Sequence, residues 1–282
     1  MRLMGVLQRL GFRGRSKKYL YQVNEFALGG GVVARYAQWL HPAESPKQIT
    51  ADQVRAYREF LGPGDFCIDI GAHTGDSTLP MAIAAGPTGF TLALEPNPFV
   101  YHVLEKNARA NRGIANIQTL MAAATPAECF MQFEYSDSGF CNGGRHEGIS
   151  SLAHGHAFKL QVFGIDLARE LRESFGDVLP RLRFIKVDAE GYDLYVVKSI
   201  QAIIQELRPC LKLEVFKDSS TAYRKELFSI FLDNRYGIHR IEHEPLGRGP
   251  RLSLADIDAW RHYDILCVPE EWESLHPAGA GA

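Results

Sequence analysis

The sequence predicts a doubly wound α/β fold with a mostly parallel sheet, and three observations support this prediction. Short apolar segments alternate with amphipathic segments of helical period from residue 49 onward. The apolar segments are continuous, as in strands that are buried on both faces of a parallel sheet. The chain has 282 residues, 46% of them hydrophobic and 23% charged, which suffices for one large domain with extensions.

The elements follow in regular order. The segment "TADQVRAYREFL" begins with Thr50 and Gln53, the pattern of a capping box, and predicts a helix up to Leu61. Strands are predicted at 66–70, 89–94, 117–121, 184–187 and 211–215. Helices are predicted between them, at 77–85, 98–111, 165–175 and 194–207. A helix at 221–233 and strands at 238–242 and 264–268 complete the sheet.

The two ends of the chain differ from its middle in charge and composition. Residues 1–48 carry eight Lys or Arg and two Asp or Glu, and we expect an N-terminal helical extension that packs on the main domain. Weak contact of this basic segment with an anionic membrane surface is the alternative. We therefore expect a basic extension (1–48), a main domain (49–270) and a flexible tail (271–282) that ends in "HPAGAGA".

Composition disfavours several classes of function. The net charge is −2 and the main domain is acidic, which argues against a nucleic-acid-binding protein. No stretch of 18 apolar residues occurs, so we expect no transmembrane segment. The five cysteines include no C-x-x-C pair, which argues against a zinc site and favours a reducing, cytoplasmic location. Residues 1–60 can act as an arm that is exchanged between two copies of the chain, so a homodimer is among the alternatives.

Carboxylates mark four of the predicted strand ends: Asp69, Glu95, Asp188 and Glu214. In an open α/β sheet, ligands bind at the carboxyl ends of the strands. One such carboxylate is easily explained as a satisfied structural group, but four at equivalent positions predict a ligand site along this rim.

The first of these strand ends, "FCIDIGAHTG", carries a glycine turn that does not match the G-x-G-x-x-G pattern of dinucleotide sites. Asp69 precedes the turn and favours a ligand with a cationic end, such as S-adenosylmethionine, over a phosphate. Gly71 permits close approach of a ligand to the backbone, and Gly75 permits close packing of the following helix. Glu95 lies 24 residues after Gly71, where an acidic residue accepts hydrogen bonds from ribose hydroxyls; a charge at a helix N-terminus is the alternative role.

The segments "CIDIGAHTGDSTLPMA", "ALEPNPFVYHVLEKNARAN" and "FIKVDAEGYDLYVVKSI" occur in this order. Together they resemble the FkbM-type methyltransferases, within the class I S-adenosylmethionine-dependent group, over about residues 60–218. The resemblance implies a Rossmann-like sheet of seven strands whose last strand runs antiparallel. It also implies methyl transfer, mostly to oxygen, on sugars, glycans or secondary metabolites. Family members more often carry asparagine where this chain has His73.

The resemblance further implies a cofactor site along the first three strand ends. Its members in this sequence are Asp69, Gly71, His73, Thr74 and Gly75 at the methionine end, Glu95 and Asn97 at the ribose, and Ala122 and Ala123 near the adenine. Small residues after a strand are equally typical of tight packing, so the two alanines have a structural alternative.

Transfer to a hydroxyl also needs a group that accepts its proton. In "KVDAEGYD", Asp188 and Glu190 follow the fourth strand, and we rank Asp188 first. Lys186 shares its face of the strand and is expected to form an ion pair within the sheet. The Gly-, Ser- and His-rich segment 136–158 offers His146 as a further candidate base, beside His154 and His156.

Two further sites are predicted. Asp188 and Glu214 are placed like the ligands of a divalent ion, such as Mg²⁺, in catechol-type O-methyltransferases; two hydrogen-bonded carboxylates without metal are the alternative. Segment 136–158 is predicted to form part of the acceptor wall. Its polar candidates are Asn142, Ser150 and Ser151, with flexible Gly143 and Gly144, and Phe140 and Tyr135 are candidates to stack on a sugar ring.

The sequence therefore favours an O-methyltransferase that acts on a small-molecule or glycan acceptor. An N-methyltransferase and a metal-dependent O-methyltransferase are the alternatives within enzymes. A nicotinamide oxidoreductase is disfavoured by the missing third glycine and by Asp69. A non-catalytic adenosylmethionine-binding module that recruits a partner through the basic N-terminus is the alternative outside enzymes.

Overall fold

The central feature of the fold is a mixed sheet, seen in a computed structural model that describes residues 16–141, 143–144 and 158–276. Eight strands of the described chain form this sheet. In spatial order they are β13 (Gly247–Leu252), β12 (Tyr236–His243), β14 (Tyr263–Pro269), β11 (Cys210–Val215), β10 (Leu182–Val187), β3 (Phe66–Ile70), β4 (Phe90–Leu94) and β5 (Ile117–Leu120).

The strand directions confirm the predicted Rossmann-like fold. The run from β11 to β5 is parallel, whereas β14 lies antiparallel between β11 and β12. The predicted seven strands are all present, and β13 adds an eighth, antiparallel to β12. Sequence patterning missed β13 because "GRGPRL" has glycines, a proline and one large apolar residue, which is tolerable only at a sheet edge.

The helices flank the sheet and follow the predicted order. They are α1 (Ala51–Tyr57), α2 (Thr78–Ala85), α3 (Pro98–Ala110), α4 (Leu167–Glu173), α5 (Asp193–Ser199), α6 (Gln201–Leu207), α7 (Thr221–Asp233) and α8 (Glu270–Leu275). The capping box of α1 is present, with Thr50 and Gln53 bonding each other's backbone. One helix was expected over 194–207, but two occur, divided at Ile200. The predicted flexible tail (271–282) is wrong over its first five residues, because they belong to α8.

Both faces of the sheet are buried, as its continuous apolar strands require. Along β3, Ile68 joins a core cluster that includes Leu194, Ile203 and Phe228 of the C-terminal helices. The neighbouring Cys67 joins a second cluster on the opposite face, with residues of α1 and α2. Alternate side chains of one strand therefore hold two helical layers against the sheet.

A second sheet replaces part of the predicted irregular region. Its spatial order is β6 (Ala123–Thr125), β9 (Phe158–Asp166), β7 (Cys129–Tyr135) and β8 (Gly143–Gly144). β7 and β9 pair antiparallel in unbroken register from Cys129 opposite Gly164 to Tyr135 opposite Phe158. The helix expected from residue 165 begins at Leu167 because Asp166 caps it.

The predicted N-terminal helical extension is wrong over the described residues. Strands β1 (Tyr21–Gly29) and β2 (Val32–Trp39) form an antiparallel hairpin instead. Three glycines, Gly29, Gly30 and Gly31, make its turn with positive φ angles. β-Branched and aromatic residues on both sides of this turn favour strands. The helix was expected from the basic charge of the segment, which does not determine its secondary structure.

The hairpin is fastened to α3 by two asparagine side chains. Asn107 Oδ1 accepts a hydrogen bond from the Ala37 amide at 2.5 Å, and Asn111 Oδ1 accepts one from the Arg35 amide at 2.9 Å. Asn107 Nδ2 also donates to the Thr74 carbonyl at 2.7 Å. The same amide group therefore links the hairpin to the glycine turn after β3, which brings the N-terminal segment to the rim of the sheet.

Candidate active site

A cavity of about 270 Å³ opens at the carboxyl ends of β3, β4 and β10, where the sequence placed the ligand site. Its lining includes residues that the sequence predicted for a ligand site and residues that it did not. From the predicted set come Gly71, His73, Glu95, Asn97, Ala122, Ala123, Tyr135, Gly143, Asp188 and Glu190. Glu44, Lys47, Asp76 and Cys141 were not predicted, and Lys186 was expected only as an ion-pair partner within the sheet.

The glycine turn has a backbone that side chains would disrupt. Gly71 has φ +79°, and a Cβ atom there would lie 1.9 Å from the Asp188 carbonyl oxygen. Gly75 has φ +90°, and its Cβ would lie 2.9 Å from Leu104 of α3. The first glycine lets β3 and β10 meet beneath the cavity, and the second lets α3 approach the turn. The sequence predicted close packing at Gly75 with the following helix, α2, whereas the tight contact is with α3.

Glu95 organises the turn from the neighbouring strand. Its Oε2 accepts a hydrogen bond from the His73 amide at 2.9 Å, and its Oε1 accepts one from the Asn97 amide at 2.8 Å. Burial raises the pKa of Glu95 to about 7, against the opposing effect of these two amides. Each oxygen keeps a lone pair, so the carboxylate can also accept bonds from a ligand in the cavity.

Asp69 lies beneath the cavity and is not part of its lining. It is fully buried; Thr78 donates to its Oδ2 at 2.6 Å, and Lys186 Nζ lies 3.3 Å from its Oδ1. Burial raises the pKa of Asp69, although Lys186 opposes this shift. The ion pair expected for Lys186 is therefore present, and Asp69 supports the site through the lysine.

Lys186 connects two strand ends at the cavity floor. Besides Asp69, its ammonium lies 3.3 Å from Asp188 Oδ2 and 3.5 Å from the Gly71 carbonyl oxygen. Burial alone would lower the pKa of Lys186, but Asp69 and Asp188 outweigh it and hold the pKa well above its usual value. Lys186 is therefore charged, and it fixes Asp188 beside the turn.

Glu190 stands on the same wall in a strained backbone conformation, with φ +51°. Burial, followed by the charge of Asp188, raises the pKa of Glu190 to about 7. A carboxyl group with that pKa exchanges protons near neutral pH, as a general base must.

Small and aromatic residues form the opposite side of the cavity. Ala122, Ala123 and Ala124 are buried at the start of β6 and leave a flat apolar surface. Phe133 and Tyr135 of β7 face the same space. Apolar surfaces of this kind can contact a planar ring, and the purine position at Ala122 and Ala123 stays a prediction.

Thr74 and Phe140, like Asp69, do not contribute side chains to the lining, so the predicted direct contact of Asp69 and Thr74 with the cofactor is wrong. Thr74 is fully buried, and its hydroxyl forms a hydrogen bond with the Tyr36 hydroxyl of the hairpin at 2.6 Å. This bond stabilises the turn. Phe140 packs on Phe99 at 4.4 Å between ring centroids and on Tyr135, and its carbonyl accepts a bond from Asn97 at 2.7 Å. The expected stacking of Phe140 on a sugar ring is therefore wrong, because the ring is buried in the core.

Asn97 has a structural task besides lining the cavity. Its Oδ1 accepts a hydrogen bond from the Phe99 amide at 2.9 Å and caps α3.

Glu214, the other proposed metal ligand with Asp188, accepts a hydrogen bond from His262 at 2.7 Å when that ring nitrogen carries the proton. Burial and nearby carboxylates, Asp188 first, raise the pKa of Glu214 to about 10. A bound cation would favour the ionised carboxylates, so the metal site at Asp188 and Glu214 stays a prediction.

Four predicted residues, Asn142, His146, Ser150 and Ser151, lie outside the described residues. Asp76 was not predicted, although its position directly after the glycine turn indicates that it lies near the cavity. Asp76 Oδ2 lies 3.1 Å from Lys47 Nζ. Glu44 and Lys47 follow the hairpin, and no local pattern indicates that this segment folds over the cavity.

The fold and the site together define a class I, Rossmann-like methyltransferase. The Methyltransferase FkbM domain family matches residues 69–238, which is more than half of the chain. The chain therefore belongs to the FkbM methyltransferase family. This membership confirms the prediction of an S-adenosylmethionine-dependent methyltransferase at the level of the family. No curated protein matches the chain.

Solved structures with similar folds share little sequence with the chain. A methyltransferase FkbM from Methylobacillus flagellatus KT is 14% identical, with 76% of this chain and 50% of that chain covered and a TM-score of 0.43. Fibrillarin from Aeropyrum pernix, crystallised with natively bound S-adenosyl-L-methionine, is 13% identical, with 89% and 100% covered and a TM-score of 0.42. This chain thus spans half the length of the Methylobacillus protein, and we carry no residue roles over from either structure.

Across the described part of the chain, the helices are too short or too polar to cross a membrane.

Proposed function

We propose that this protein transfers a methyl group from S-adenosylmethionine to a hydroxyl of a sugar, glycan or related polar metabolite. The observation that carries the choice of oxygen is Glu190, a cavity-wall carboxyl group whose pKa is raised to about 7 by burial and by Asp188. A hydroxyl must lose its proton during transfer, whereas a neutral amine attacks without prior deprotonation. An N-methyltransferase remains the alternative.

The cavity residues fit the cofactor in two respects. The Glu95 carboxylate has free lone pairs for the two ribose hydroxyls, and the alanines of β6 offer a surface for adenine. When bound, S-adenosylmethionine supplies an activated methyl group, so the chain contributes alignment and proton removal, of which alignment supplies up to about 7–11 kcal/mol.

The raised pKa of Glu190, about 7, supports Glu190 over Asp188 as the general base, although the sequence ranked Asp188 first. Both carboxylates line the cavity, and Asp188 Oδ2 lies 3.3 Å from Lys186 Nζ in an ion pair. Asp188 then positions Lys186 and the turn, and His146 stays a predicted base outside the described residues.

Glu95→Ala is expected to weaken binding of S-adenosylhomocysteine by about 10-fold or more, because a charge-assisted pair of hydrogen bonds is lost. Isothermal titration calorimetry measures this change. Glu59→Ala, at an exposed position after α1, is the matched control and should leave the affinity unchanged. Equal affinity of wild type and Glu95→Ala would remove the ribose role from Glu95.

Glu190→Gln is expected to lower kcat by about 100- to 10,000-fold, since general base catalysis contributes this much. In the wild type, kcat at saturating cofactor and acceptor should rise with pH up to about 7 and then level off, because Glu190 must be ionised to accept a proton. Saturation with cofactor removes the contribution of Glu95, whose pKa is also about 7. The variant should lose this acid limb while binding the cofactor normally. An unchanged pH profile in Glu190→Gln would assign the limb to another group.

The acceptor is tested by transfer of labelled methyl from S-adenosylmethionine to a panel of monosaccharides, oligosaccharides and polyphenols, with amines as the comparison. Transfer to hydroxyl compounds supports the proposal, and transfer to amines alone contradicts it. Cofactor binding without transfer to any compound favours the non-catalytic binding module.

Other expectations stay predictions. Assays with and without Mg²⁺ test the metal-dependent alternative at Asp188 and Glu214. The five free cysteines suit the predicted reducing, cytoplasmic location. The predicted homodimer and the membrane contact of the basic N-terminus are accessible to sedimentation and vesicle-binding measurements.

A further inference from the structure

Three potential metal ligands from distant parts of the chain meet on the cavity wall. They are the Glu44 carboxylate, the His73 imidazole and the Cys141 thiol, and their ligand atoms lie within 4.8 Å of one another. Cys141 Sγ is 3.9 Å from Glu44 Oε2, and His73 Nε2 is 4.0 Å from the same oxygen. Ligand atoms around a tetrahedral zinc ion lie roughly 3.3–3.7 Å apart, given its usual bond lengths. Small side-chain rotations therefore suffice to bring the three atoms onto one ion.

The same carboxylate has an unsatisfied oxygen, Oε1, beside the Oε2 that lies near Cys141 and His73. Glu44 Oε1 is buried without a hydrogen-bond partner among the described residues, and the Glu44 side chain is only 7% exposed. Lys47 Nζ lies 3.8 Å from this oxygen, beyond hydrogen-bond distance, and is closer to Asp76, at 3.1 Å. A buried carboxylate oxygen is rarely left unpaired, and a cation beside it would supply the missing interaction.

We propose that Glu44, His73 and Cys141 bind a divalent cation that accepts thiolate ligands, with Zn²⁺ as the best match. A carboxylate, an imidazole and a thiolate form a ligand set of the mixed type that zinc accepts. The charges balance, because the cation offsets the Glu44 carboxylate and the Cys141 thiolate, while Lys47 and Asp76 offset each other. The thiol proton leaves to solvent on binding.

Three protein ligands leave the fourth tetrahedral position open, as in catalytic zinc sites. All three residues line the cavity, so this position faces the space where cofactor and acceptor bind. There the ion takes an oxygen ligand from the acceptor and lowers the pKa of its hydroxyl. This role rests on the proposed function, whereas the binding of the ion does not.

The test uses Co²⁺ as a spectroscopic substitute for Zn²⁺ on the full chain stripped of metal. A Co²⁺–thiolate bond gives a charge-transfer absorption that ligands without sulfur do not produce. We expect this band to saturate at one Co²⁺ per chain and to disappear when Zn²⁺ is added. Cys141→Ser should abolish the band, and Glu44→Gln should weaken Co²⁺ binding at least ~10-fold.

Cys129→Ser is the matched control, because Cys129 is exposed on β7 and lies outside the cavity lining. It should keep the wild-type band. A band that persists in Cys141→Ser, a band lost in Cys129→Ser, or Co²⁺ binding without any thiolate band would overturn the proposal. Urea unfolding of the same samples, followed by circular dichroism, shows that the variants are folded. Because Co²⁺ binding is measured without cofactor or acceptor, loss of the metal site is separated from failure of the proposed methyl transfer.

Discussion

Replacing Gly71 by alanine is expected to destabilise the protein by about 2–5 kcal/mol and to abolish cofactor binding. The new Cβ would lie 1.9 Å from the Asp188 carbonyl oxygen, in a backbone of φ +79° that alanine rarely adopts. The two strand ends cannot simply separate, because the Asp188 amide donates to the Ile70 carbonyl at 2.9 Å. Urea unfolding followed by circular dichroism measures the loss.

Gly113→Ala is the control for this experiment. Gly113 is exposed after α3, and no atom lies within 4 Å of a Cβ built there. Its substitution should change the unfolding free energy by less than about 0.5 kcal/mol. A Gly71→Ala protein as stable as Gly113→Ala would show that the turn relaxes more easily than its packing indicates.

Lys186→Met is expected to cost about 3–5 kcal/mol at neutral pH, because it leaves the fully buried Asp69 without its cation. The loss should shrink as the pH falls. Without the lysine, burial raises the pKa of Asp69 further above its unfolded value, so the folded state binds a proton more readily and regains stability in acid. Unfolding measured at several pH values between about 5 and 8 tests this slope.

Two variants complete this test. Asp69→Asn combined with Lys186→Met removes both charges and should recover part of the lost stability. Lys198→Met removes a lysine of α5 that pairs with Glu226 on the surface, and it should cost less than about 1 kcal/mol. A pH-independent loss in Lys186→Met would point to lost packing of the lysine stem and not to an uncompensated carboxylate.

Much of the fold was predictable because local patterns and tertiary burial agree there. β3 is a continuous apolar run that is buried on both faces, and α7 was predicted with its observed bounds, Thr221–Asp233. The predicted helix at the N-terminus was wrong, because it rested on the basic charge of the segment although the residue types there favour strands. Prediction also failed at β13, whose sequence lacks the apolar residues of an interior strand.

The site was predictable only where it sits at strand ends. Glu95, Asp188 and Glu190 follow from that rule and do line the cavity. Thr74 lies in the turn after β3 and Phe140 lies after β7, but both side chains turn into the core. Their directions depend on contacts with Tyr36 and Phe99, which belong to other segments. Glu44 and Cys141 reach the cavity through long-range packing, for which the sequence offers no local signal. The domain boundaries stay predictions.

The central claim is that the cavity above Gly71 and Glu95 binds S-adenosylmethionine. The most direct measurement is calorimetric titration of the wild-type protein with S-adenosylhomocysteine, with NADH as the competing candidate ligand. We expect binding of S-adenosylhomocysteine at one site per chain, with a dissociation constant in the micromolar range, and no binding of NADH. A folded sample that binds NADH and not S-adenosylhomocysteine would contradict the account.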